Sequence, residues 1–204
     1  MSLQRYAETL FEKRPRGLVN PYRVHDPRFD VEEGWRLRRE NLLAHWDAIA
    51  ADVVLIGEAL GYRGGRFTGI PFSSERLLLD GTIPSAGHAT SRRGPFGEAT
   101  ATIVRRSLTG LGVEALGWNA LPFHPHRPGE AMSNRTPTPV ELRRHAPLLR
   151  GFLDAAPDVP VVAVGSAAAR SLTRLGIAHH AVVHPARGRA KAFQDGLRRV
   201  LRAP

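Results

Sequence analysis

Four short runs of β-branched and aliphatic residues constrain this chain more than anything else in it. They are Asp52–Gly57, Ala115–Leu121, Val159–Gly165 and Ala178–His184, each too short for a helix and bounded by Gly or Pro. Helical patterns separate them. One follows Gly97 and stops near Gly110 or Gly112; another begins at Thr138, with Pro139 at the first helical position and Glu141 closing a capping box. Two shorter ones run from Ser166 to about Leu175 and from Arg189 to about Arg202. Strands joined by helices need right-handed crossovers, which give a parallel sheet covered on both faces. The expected class is therefore α/β, a three-layer α/β/α sandwich around a central four-stranded parallel sheet. Such sheets bind ligands at the carboxyl ends of their strands, so functional residues are sought just after Gly57, Asn119, Gly165 and Val183.

Upstream of the first strand, Asp30 and Glu33 read as a capping box. Val31, Trp35, Leu42, Trp46 and Ile49 then recur on one face of a helix over about 31–50. The segment before it, "KRPRGLVNPYRVHDPRFD", carries turn residues every few positions, so residues 1–30 are expected to form an irregular extension and residues 31–204 a single domain. The Pro- and His-rich stretch at 121–139 is read as a long ordered loop, of a length that marks functional loops.

Composition removes several chemistries. With no cysteine among 204 residues, disulfides, thiolate-held zinc and iron–sulfur clusters are excluded, and a reducing, cytoplasmic setting is expected. No apolar run approaches the ~18 residues that span a bilayer, and the N-terminus has no signal-peptide pattern, so a soluble protein is expected. A net charge of +10 points to a polyanionic partner, although an Arg-rich composition can also reflect a GC-rich genome. Neither "HPH" nor "HH" has carboxylates at ligand spacing, so no metal is expected.

Three of the four strand ends carry more than turn chemistry. The first opens into "GEALGYRGGRFTGIPF", the second into "GWNALPFHPH" and the fourth into "HPARGR", whereas the third ends in the plain turn "GSAAARSL". The glycine loop fits neither a P-loop nor a G-x-G-x-x-G turn. A carboxamide such as that of Asn119 offers an acceptor and a donor side by side, although an Asn at a strand end is also a common turn residue. Glu58 is the lone acid of its loop, and His184 is the one histidine with both a strand-end position and a motif around it; His124, His126, His179 and His180 have the first alone.

The order of "GEALG", "TGIPF", "WNALP" and "HPARG" along a parallel sheet resembles the uracil-DNA glycosylase superfamily, over about residues 50–200. The similarity is greatest to branches whose first motif opens Gly-Glu-Ala. Leu60 stands where such a branch usually has proline, and the cysteines of its iron–sulfur cluster are missing, so no cofactor is expected. The resemblance implies a monofunctional DNA glycosylase, a monomer acting on DNA that contains uracil or another deaminated base, without a lysine-based lyase step. It assigns Glu58 to hold the attacking water and His184 to stabilise charge on the departing base. Phe72 would stack on the extruded base, Asn119 would read its edge, and Gly57 and Ala59 would line its site. Arg187 and Arg189 would fill the gap left in the duplex or bind phosphate, and Tyr62 and Arg66 would exclude larger bases or contact the backbone. Ala59 occupies the position of a catalytic Asp or Asn in other branches, which keeps open a weak or inactive member that only binds nucleic acid or a nucleobase.

Overall fold

The computed structural model describes residues 1–201. In chain order the elements are α1 (Leu3–Phe11), β1 (Leu18–Val19), α2 (Gly34–Ala48), β2 (Val53–Ala59), α3 (Gly65–Thr68), α4 (Glu75–Leu79) and α5 (Ala99–Leu111). There follow β3 (Ala115–Leu121), β4 (His124–Pro125), α6 (Pro139–Leu153), β5 (Val161–Val164), α7 (Ser166–Arg174), β6 (His180–Val182) and α8 (Ala190–Leu201). The four expected strands form one parallel sheet in the order β3-β2-β5-β6. All four expected helices after the first strand are present, and the end expected at Arg202 lies outside the described residues.

Period-two alternation splits the strand side chains between two apolar layers. Val54, Ile56, Leu116 and Trp118 face Leu42 and Trp46 of α2, Leu149 and Phe152 of α6 and Leu172 of α7. Val53, Leu55, Val162, Val164 and Val182 face Val104 and Leu108 of α5 and Phe193 and Leu197 of α8. The sheet is thus sandwiched between helical layers, which fixes the carboxyl ends of β2 and β3 as rigid platforms. Gly57 and Asn119 are register partners at that end.

Two local expectations change. Residues 1–30 are not wholly irregular: Ser2 caps α1, which buries Tyr6, Ala7, Leu10 and Phe11. Leu18 and Val19 then pair antiparallel with Pro125 and His124, so the extension carries part of the 121–139 loop. The second change is at α2, which starts at Gly34 with Glu33 in a left-handed conformation and no side-chain cap. Asp30 does not cap it; its carboxylate is buried against Arg38, with contacts of 2.8 and 2.9 Å. Arg38 also donates to the carbonyls of Pro21 and Val24, so the charge on Asp30 organises the extension rather than a helix end. The capping box at Thr138 and Glu141 forms as expected.

Candidate active site

A cavity of about 650 Å³ opens at the carboxyl edge of β2 and β3, within the usual size of small-molecule sites. Glu58, Phe72, Asn119 and His184 all line it, as do Gly57, Ala59, Arg187 and Arg189. Four segments far apart in sequence therefore meet in one place.

Gly57 makes the meeting possible. A Cβ at this position would sit 2.5 Å from Asn119 Oδ1 and 2.8 Å from Phe72 Cζ, so only glycine lets both side chains approach the strand. The Phe72 ring also packs over Gly117, where a Cβ would come within 3.0 Å. Phe72 holds a left-handed backbone, φ 52°, a conformation that costs a non-glycine residue of order 1 kcal/mol and persists where the surroundings enforce it.

Asn119 is 4% exposed, and its carboxamide has no hydrogen-bond partner among the described residues. Asn119 lines the cavity, where an unpaired carboxamide is available to a ligand's polar edge. His184 follows β6 and packs on Gly165, whose φ of 89° needs no side chain and whose Cβ would meet His184 Cβ at 3.3 Å. The Ala186 N–H donates to His184 Nδ1 at 3.2 Å, so in the neutral ring the proton sits on Nε2. Partial desolvation at the cavity wall lowers the His184 pKa, which favours that neutral donor at pH 7. Glu58 is partly buried; desolvation raises its pKa, and the charge of Arg170 opposes the rise.

Leu60 has a structural reason to replace a proline. Its backbone N–H donates to Phe123 O at 3.3 Å, a bond that proline would forfeit, and its carbonyl faces His124 Nδ1 at 2.8 Å. His124 is fully buried and far from its ordinary basicity, with its pKa lowered to about 4 by desolvation; it pins the first motif to the 121–139 loop. That loop contributes Pro125, Asn134, Arg135 and Thr136 to the cavity wall.

Arg66 corrects an expectation. It is 4% exposed, paired with Asp26 at 3.0 Å and donating to Ala131 O at 2.5 Å, so it braces the glycine loop from within and has no free face for nucleic acid. Tyr62 is partly buried against Phe96, ring centroids 5.9 Å apart, and does not line the cavity; its N–H donates to Asn134 Oδ1 at 3.0 Å. Arg187 and Arg189 are exposed on its lip, with Arg187 at φ 58° and Gly188 at φ 76° forming a tight protruding turn.

Sequence reasoning missed Glu98. This residue precedes α5 and lines the cavity opposite the glycine turn, and desolvation pushes its pKa up to about 7. Glycines at Gly61 and Gly64 leave room for its carboxyl, and that spacing is the only trace of it in the sequence. No cluster of three or more His, Cys, Asp or Glu able to hold a metal exists among the described residues. No helix among them is long and apolar enough to cross a membrane.

A search of curated proteins returns no match. Among solved structures the chain is similar to that described as the crystal structure of wild-type Pedobacter heparinus SMUG2, at 15% identity and a TM-score of 0.63, covering 96% of this chain and 95% of that one. At that identity the likeness speaks for the fold. The family model described as the uracil DNA glycosylase superfamily matches residues 45–201, a span that holds every cavity-lining residue named above. With that match over most of its length, the chain belongs to the uracil DNA glycosylase superfamily.

Proposed function

We propose that this protein is a monofunctional DNA glycosylase that hydrolyses the N-glycosidic bond of uracil, or another deaminated base, extruded from DNA. One observation carries the reading: Glu58, Phe72, Asn119 and His184 converge on a single cavity, where the side chains of Glu58 and Asn119 have no hydrogen-bond partner among the described residues and His184, held at Nδ1 by the Ala186 N–H, keeps Nε2 unpaired.

The chemistry follows from what each group can do. The base enters against the Phe72 ring, and the Asn119 carboxamide pairs with its imide edge. As the C1′–N bond breaks, its electron pair moves onto the base and gathers on a ring carbonyl oxygen, where His184 Nε2–H is available as donor. The sugar is left with oxocarbenium character. Glu58, as carboxylate, stabilises that cation and accepts a proton from the water that attacks C1′. Burial raises its pKa and so makes the carboxylate more basic than an exposed one, and the charge of Arg170 opposes that rise. Lys13 and Lys191 are the only lysines and neither lines the cavity, so no amine is at hand for a lyase step.

The test is incubation of the purified protein with a labelled oligonucleotide carrying one uracil, with hypoxanthine and xanthine alongside, followed by hot alkali. Cleavage by wild type should fall at least ~100-fold in Asn119→Ala and in His184→Ala, as expected for donors that act on developing charge or on base recognition. Absence of cleavage on all three bases would leave the second reading, a superfamily member with Ala59 in place of an acid or amide that binds a nucleobase without hydrolysis.

A further inference from the structure

Glu98 and Asn134 stand together on a wall of the cavity that none of the roles above uses. A Cβ on Gly64 would overlap Glu98 Oε2, and one on Gly61 would lie 3.1 Å from Glu98 Oε1 and 3.9 Å from Asn134 Nδ2. Both side chains therefore converge on the space that Gly61 leaves vacant. Asn134 has its carbonyl oxygen occupied by the Tyr62 N–H, which leaves its NH2 group as the free end. Neither that NH2 nor the Glu98 carboxyl has a hydrogen-bond partner among the described residues, and both residues line the same cavity as Asn119.

We propose that Glu98 and Asn134 form a second polar wall of the base site and read an edge of the base that Asn119 does not reach. The inference rests on the glycosylase reading for its ligand class. An amide NH2 beside a carboxyl that carries its proton presents two donors side by side. The matching edge is one with two adjacent acceptors. When a carboxamide pairs with N1–H and O6 of a 6-oxopurine, the neighbouring edge offers two acceptors, O6 and N7, whereas the corresponding edge of uracil offers O4 beside a C5–H group and so satisfies only one of the two donors. The wall therefore selects a 6-oxopurine such as hypoxanthine, and a cavity of about 650 Å³ has room for two fused rings.

Protonation of Glu98 makes the selection pH-dependent. Desolvation is the cause that raises its pKa to about 7. The charged and titratable groups around it are Glu58, His184, Arg135, Arg187 and Arg189 on the cavity, Arg76 along Gly97, and Arg63 and Arg92 over the Phe96 ring. None makes a salt bridge with Glu98. Rising pH ionises the carboxyl, removes a donor and sets a negative charge against the base acceptors.

The test is calorimetric titration of the full-length protein with free hypoxanthine and free uracil. For wild type, hypoxanthine should bind at least ~10-fold tighter than uracil near pH 6 and lose about 10-fold by pH 8.5, as the donor deprotonates. Glu98→Gln keeps an N–H donor and should bind hypoxanthine with no pH dependence over that range. Glu98→Ala should lose about 10-fold in hypoxanthine affinity with uracil unchanged, the worth of one hydrogen bond to a buried partner. Equal affinity for the two bases, a Glu98→Ala protein that binds hypoxanthine like wild type, or no binding of either base would overturn the inference. Strand cleavage with an unaltered Glu98→Ala titration would sink this proposal alone; selective base binding without strand cleavage would sink the glycosylase reading alone.

Discussion

An uncompensated, desolvated carboxyl on a cavity wall carries a cost that depends on pH. The folded-state pKa of Glu98 is raised to about 7, above the ordinary glutamate value, so folding favours its protonated form. Its stabilising contribution is whole below the unfolded-state pKa, near 4.3, and is lost as pH climbs to about 7. Glu98→Gln removes the titration. The variant should match wild type near pH 4 and exceed it by on the order of 2 kcal/mol at pH 8, measured by urea unfolding at each pH. A constant difference at both pH values would mean that the carboxyl is not desolvated as described. Glu58, Phe72, Asn119 and His184 were legible as site candidates because each ends a strand or sits in a glycine-framed turn, and because the motifs around them resemble those of the uracil-DNA glycosylase superfamily. Glu98 was not, because it lies in a loop with no motif and its environment is made by Gly61 and Gly64, more than thirty positions upstream. Arg66 misled for a related reason: nothing local reveals that Asp26 and Ala131 close over its guanidinium.

At the scale of elements, the sheet and its flanking helices follow from periodicity, while the N-terminal helix shows what turn residues can obscure. Leu3, Tyr6, Ala7, Leu10 and Phe11 have helical spacing behind the cap residue Ser2, yet the Pro- and Gly-rich stretch that follows reads as irregular. The helix is part of the core. Tyr6 stands edge-on to Trp118 at 5.7 Å and Phe152 at 5.9 Å, with Trp46 at 6.3 Å, and Trp118 stacks on Phe152 at 4.8 Å. Tyr6→Ala should destabilise the protein by about 3 kcal/mol, read as a lower urea midpoint, since it empties an aromatic-lined site. An effect under about 0.5 kcal/mol, typical of surface substitutions, would place α1 outside the cooperative core. The same distinction explains Asp30. Its spacing from Glu33 fits a cap, but Arg38, about one turn into α2, captures the carboxylate in a buried pair, and tertiary context wins over a local motif.

For the whole molecule, charge sets the terms of association. With a net charge of +10, binding to an oligonucleotide should weaken steeply with salt, at least ~10-fold between about 50 and 200 mM, followed by fluorescence anisotropy. Arg187→Ala should lower the log–log salt slope by about one if its guanidinium meets a phosphate. An unchanged slope with weaker binding would instead assign Arg187 to the gap left by the base. The composition indicated a polyanion, but only the fold puts Arg187 and Arg189 on the lip of the cavity. The pairing of Leu18 and Val19 with Pro125 and His124 has a further meaning, since the family model begins only at residue 45. The loop that supplies Asn134, Arg135 and Thr136 is tethered to a stretch outside the span that the family model covers. A chain cut back to residues 45–201 would keep every cavity-lining residue and lose the strand that moors one wall of the cavity.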